Sequence, residues 1–145
     1  DFADGSFNFL YSWGVTHHSE NTGKILDPIA RVLARGGRGM IMVYNHNSLR
    51  YYLKGLYQLY VRGLLFKCAK LDSLQENFTD GYFHTHYSPR EFEGILKAKG
   101  LVPEKTSLSH MAKSYIPPMP TGIDNFFKRK FSWLLTAEFS KPQKP

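Results

Sequence analysis

Residues 7–44, FNFLYSWGVTHHSENTGKILDPIARVLARGGRGMIMVY, read as strand, polar loop, helix, glycine turn and strand. Phe7 to Ser12 is short, aromatic and largely apolar, the pattern of a strand covered on both faces. Trp13 to Asn21 is a loop dense in polar chemistry. Ile25, Leu26, Ile29, Val32 and Leu33 then repeat at helical spacing, and Gly36-Gly37 supplies a left-handed stop. Met40 to Tyr44 is a second buried-looking strand. Two such strands joined through a helix make a right-handed βαβ unit, with the strands parallel. Ligands of such sheets sit beyond the carboxyl ends of the strands, here Ser12 to His18 and Tyr44 to Asn47. Pro28 complicates the helix, because it removes one backbone hydrogen bond and presses on the preceding turn. Either the helix kinks there, or it starts late with Asp27 as cap and Pro28 at the first position.

The totals bound the class. A chain of 145 residues is one domain long, and 42% hydrophobic with 15% aromatic content argues for a globular protein. The charge of +7 and the pI near 9.5 suit a nucleic-acid or anionic-membrane partner. A basic solvated surface with a Lys-rich tail accounts for the same numbers, and no recognised nucleic-acid motif accompanies them. Nucleic acid is therefore not expected. A single cysteine, Cys68, rules out an internal disulfide. No apolar run reaches the ~18 residues of a membrane span and no signal peptide opens the sequence, so no stable membrane insertion and a cytoplasmic setting are expected. Asp1 is no natural initiator, so a preceding segment is expected.

Beyond Tyr44, Ser48 caps a long helix whose stripe is Leu49, Tyr52, Leu53, Leu56, Tyr60 and Leu64. Packing of that stripe on the sheet is the favoured expectation. Because Arg50, Lys54 and Arg62 lie off the stripe, a helix resting on a membrane or covering a lipophilic substrate is the alternative. Tyr44, Asn45, Arg50 and Tyr51 fall where the helix starts, at the ligand end of the sheet, and are candidate substrate contacts. Asp72 to Tyr87 is irregular. If extended, it puts His84 and His86 on one face. No cysteine and no carboxylate at ligand spacing joins these to His17 and His18, so no metal is expected. Ser88-Pro89-Arg90-Glu91 is a helix start, with a serine cap, proline first and Glu91 third, and the helix runs to a Gly100 stop. Leu101 to Thr106 and Leu108 to Ala112 read as a short strand or strand pair, and Pro117 to Pro120 as a rigid bend. Asp124 caps a short helix over 125–130, Ser132 to Ser140 closes as a strand, and Lys141 to Pro145 is a solvated tail.

DGSFNFLYSWGVTHHSEN, then RVLARGG, then IMVYN, in that order, resembles the second half of a class I S-adenosylmethionine-dependent methyltransferase. The later YSPREFEGILKAKGL and WLLTAEFSK fit as well, so the resemblance covers most of the sequence. Ala34-Arg35 stands where the family commonly has Lys-Pro before Gly-Gly, and the family's glycine-rich loop after its first strand is not among these residues. The resemblance implies an α/β fold, the C-terminal half of a Rossmann-like sheet. In the family's strand numbering its order is 4-5-7-6, with the last strand antiparallel. It implies S-adenosylmethionine as cofactor, with Ser12, Trp13, Gly14 and Val15 lining its pocket, and a small-molecule methyl acceptor. A sulfonium cofactor supplies an activated methyl, so the protein mainly aligns donor and acceptor. A base helps only where the acceptor must lose a proton, and imidazole suits that task. His17 or His18 is the candidate, with helix capping or packing as the plainer role for one of them. Residues 1–145 are thus expected to form one partial methyltransferase domain without its cofactor-gripping half, inactive alone. The alternative is a non-catalytic half-domain that pairs with itself or a partner through an open sheet edge.

Overall fold

The computed structural model describes residues 2–19, 21–61, 85–110 and 120–143, without the side chains of Tyr51, Lys54 and Gln58. Among the described residues five strands form one open sheet: β1 (Phe7–Trp13), β2 (Leu33–Asn45), β3 (His86–Tyr87), β4 (Val102–Ser109) and β5 (Leu134–Ser140). The order is β1-β2-β5-β4. β1 and β2 run parallel, with Leu10 beside Gly39 and Trp13 beside Met42. β5 inserts antiparallel between β2 and β4, as the resemblance implies. The two-residue β3 pairs parallel with Tyr44 and Asn45, on the side of β2 that β1 leaves at Met42.

The core lies on one face of this sheet. Ile41, Val43, Leu135, Ala137 and Phe139 are buried there against Leu26 of α1 (Thr22–Val32) and against Phe92 and Leu96 of α3 (Pro89–Ala98). Alternation along a strand puts Leu10 on that face, where it packs on the cluster, and Phe9, Tyr11 and Trp13 on the other. Those three are 61%, 58% and 43% exposed, so the outer face of β1 is bare, and β1 is an edge strand among the described residues. The expectation of a strand covered on both faces fails because α1 and α3 pack on the other face, and no described element lies over the one that carries Phe9, Tyr11 and Trp13.

α1 starts at Thr22 and contains Pro28, so the late start at Asp27 is not what forms. Asn21 is its cap, its side chain accepting a hydrogen bond from the Lys24 amide at 3.1 Å. The helix ends before the glycines. Leu33 already has extended backbone and joins β2, while Gly36 and Gly37 lie inside that strand. Gly36, at φ +77°, turns an excursion in which six residues of β2, Leu33 to Arg38, span the same stretch as three of β1, Phe7 to Phe9. The end of α1 is closed by Lys141, whose ammonium donates to the carbonyls of Ala30 at 2.6 Å and Leu33 at 2.8 Å. Lys141 is therefore a helix cap and not the start of a solvated tail.

α3 opens as the sequence requires. The Ser88 side chain accepts from the Glu91 amide, the Glu91 carboxylate accepts from the Ser88 amide, and Pro89 takes the first position. The two short segments after Gly100 merge into the single β4, and left-handed His110 follows it. α4 (Thr121–Phe131) starts three residues earlier than Asp124. Asp124 lies inside its first turn, paired with Lys128. The helix after Ser48 is α2 (Leu49–Leu56), continued by a π-helical turn, Tyr57–Val61. Leu53, Leu56 and Tyr60 of its stripe are exposed, against the expectation that they pack on the sheet. Leu64, His84 and the bend at Pro117–Pro120, except Pro120, lie outside the described residues.

Candidate functional site

The carboxyl ends of β1 and β2 open on one side of the sheet. At the end of β1, Gly14 turns the backbone at φ +72°, a left-handed geometry that strains a residue with Cβ. Val15 is exposed and leads into a 3₁₀ turn, Thr16–His18. Three ties hold this turn from below. The Thr22 hydroxyl donates to the Thr16 carbonyl at 3.2 Å, the Tyr87 hydroxyl donates to Thr22 Oγ1 at 2.6 Å, and the Thr85 amide donates to the His17 carbonyl at 2.8 Å. The loop between the first strand and α1 is thus clamped by α1 and β3.

The two imidazoles are thereby sorted. His17 is fully buried, its ring centroid 4.0 Å from that of Tyr44 and 4.3 Å from that of His18. His18 is exposed at the rim. Tyr44, at the end of β2, is the centre of a packed aromatic cluster. Its ring lies 4.5 Å from Trp133 and 5.6 Å from His86. The Arg50 guanidinium stands 4.8 Å from the centre of the Trp133 ring, within cation–π range.

Of the candidate residues, Trp13, Val15 and His18 form an exposed rim, and Tyr44 and Arg50 belong to the cluster behind it. Trp13 stacks on Tyr11, with centroids 6.0 Å apart. Ser12 is half-buried opposite Ile41, on the core side. Asn45 is fully buried and its amide is committed to backbone: Nδ2 donates to the Ser132 carbonyl at 2.8 Å and Oδ1 accepts from the Asn47 amide at 3.2 Å. It joins the end of β2 to the start of β5. Tyr51 has no described side chain.

Trp133, expected inside the closing strand, stands just before β5 and joins the cluster. The available signal was the antiparallel β5: the residue before it falls at the carboxyl end of β2, its antiparallel neighbour, beside Tyr44. Among the described residues no three His, Cys, Asp or Glu gather as metal ligands. Chemically, the arrangement offers ring faces, one guanidinium and an accessible imidazole. That set suits stacking on a small planar or apolar molecule and removal of a proton at the rim.

Residues 1–41, which carry β1, α1 and most of β2, match the family described as methyltransferase domain. No curated protein sequence matches significantly. Solved structures do match. A Haloferax volcanii candidate methyltransferase, solved with the Trm112 methyltransferase activator, is 18% identical with a TM-score of 0.60, covering 97% of this chain and 56% of its own. An S-adenosylmethionine-dependent methyltransferase from Methanosarcina mazei is 14% identical with a TM-score of 0.60, covering 99% and 63%. The Burkholderia thailandensis 1,6-didemethyltoxoflavin N1-methyltransferase, solved with that molecule and S-adenosylhomocysteine, is 12% identical with a TM-score of 0.56, covering 96% and 45%. The chain thus spans roughly half the length of the structures it matches. With strand order, antiparallel insertion and family match in agreement, the chain carries the fold of class I S-adenosylmethionine-dependent methyltransferases.

Proposed function

We propose that the chain supplies the acceptor-side half of a site that moves a methyl group from S-adenosylmethionine to a small molecule. One observation carries the reading: the parallel ends of β1 and β2 bring the Trp13–His18 segment against Tyr44, with Trp133 and Arg50 behind it. Trp13, Gly14 and Val15 form the cofactor-facing rim. Tyr44 and Arg50 with Trp133 face the acceptor, whose ring or apolar body they receive by stacking. His18, accessible where His17 is buried, takes the proton when the acceptor must lose one. A glycine loop and an acidic residue that grip the cofactor's methionine and ribose would come from another segment or chain. Methyl transfer is then a positioning task, in which the residues named hold the acceptor in line with the sulfonium.

The test is transfer of a labelled methyl group by the complete protein to oxygen, nitrogen, carbon and sulfur acceptors. Label in one of them supports the reading, and a folded protein that labels none removes it. Titration calorimetry on the 145 residues alone should show weak binding of the cofactor at best, and a low-micromolar affinity would overturn the division into halves.

A second reading has its own support in the bare outer face of β1. As a non-catalytic half-domain, the chain would pair along that edge with a second copy or a partner. Light scattering on the complete protein separates the two, since a monomer at all concentrations there argues against it.

A further inference from the structure

We infer that the α2 helix and its π-helical continuation form a docking face for an anionic lipid surface, on which the protein lies without crossing it. Leu53, Leu56, Tyr57, Tyr60 and Val61 follow one another at spacings of three, one, three and one, the period of a single helix face. All five are exposed, from 40% at Leu53 to 68% at Tyr60, so no described element covers the stripe. A contiguous run of large apolar and tyrosine side chains on a surface marks a contact with something else.

Charge identifies that something. From Pro28 to Leu71 the sequence carries eight Lys or Arg and no Asp or Glu. In sequence, Lys54 belongs to α2 and Arg62 directly follows the π-helical turn. A second copy docking by the same face would set these cations against themselves, because a two-fold interface apposes identical patches. The leucines and the valine of the stripe have no counterpart on a phosphate backbone, which disfavours nucleic acid. Acyl chains beneath anionic headgroups satisfy both halves of the pattern: apolar and tyrosine side chains enter the interface, and lysine and arginine meet the headgroups. No described helix is long and apolar enough to cross a membrane, so the contact is peripheral. Arg50 on Trp133 ties the start of α2 to the cluster around Tyr44, so the docked face adjoins the candidate site. The inference does not depend on the methyl-transfer reading and survives its failure.

The experiment is co-sedimentation with vesicles of phosphatidylcholine containing about one-third phosphatidylglycerol, against pure phosphatidylcholine. Binding to the anionic vesicles is expected, with a steep fall as salt is raised. The double variant Leu56→Glu with Tyr60→Glu should melt like the parent and bind about tenfold more weakly. Should that variant fail to fold, Tyr57→Ser with Tyr60→Ser, which adds no charge, carries the same comparison. No affinity for anionic vesicles, or undiminished binding by the folded variant, overturns the proposal. So does light scattering that finds a dimer which the variant makes monomeric, since the stripe would then be covering a second copy or an acidic protein face.

Discussion

His17 and His18 are neighbours in sequence and opposites in environment. The first is enclosed by Tyr44, His18 and the Thr85 contact to its carbonyl, while the second faces solvent. A sequence can supply two imidazoles at the end of a strand, but which one turns inward depends on the 3₁₀ turn that follows Gly14. Substitution separates their roles. His17→Ala empties a fully buried position and should cost about 2 kcal/mol or more of stability, read as a lowered denaturation midpoint. His18→Ala should stay within about 0.5 kcal/mol of the parent. For an acceptor that must lose a proton, the proposed methyl transfer requires it to lower turnover by the complete protein about a hundredfold. An inverse outcome, with His18→Ala unstable and His17→Ala folded but slow, would reverse the assignment.

At the scale of elements, the legible features were those whose determinants are local. The capping box at Ser88 and Glu91 lies within four residues and forms as read. The parallel β1–β2 pair follows from two apolar runs at helix-crossover distance. What was illegible depended on distant partners. The Gly36-Gly37 pair looked like a helix stop, yet the stop is made by Lys141, more than a hundred residues away, and the glycines turn an excursion inside β2. Likewise Asn45 looked like a ligand-facing amide, and its partner proves to be the Ser132 carbonyl. The stripe of α2 has the helical period in either case, and period alone cannot say whether a face meets the sheet or the solvent. The Lys141 cap is directly testable. Lys141→Ala leaves the last carbonyls of α1 without their cation and should cost about 1 kcal/mol, measured by urea denaturation. An unchanged midpoint would mean that water replaces the ammonium at no loss.

The molecule as a whole is asymmetric. One face of the sheet is packed under α1 and α3, while at the β1 end the other shows Phe9, Tyr11 and Trp13. An edge strand carries unpaired backbone donors and acceptors, and an aromatic outer face adds an apolar reason to pair. Natural edges avoid this with charge, proline or a bulge, and β1 has no charged residue from Phe7 to Trp13. The irregularity in its pairing lies between Phe7 and Phe9, so it leaves the register from Phe9 to Trp13 regular. The 145 residues alone should therefore associate as concentration rises, and Tyr11→Lys should suppress this. The substitution sets a cation in the middle of the bare face, opposite Met40, where a second strand would have to bury it. Tyr11 is exposed, so the change should move stability by no more than about 0.5 kcal/mol. Light scattering over a concentration series, with melting curves as the control, reads both effects. Equal association by parent and variant would place the contact elsewhere on the chain, and a parent that stays monomeric throughout would show that this edge resists pairing despite its sequence.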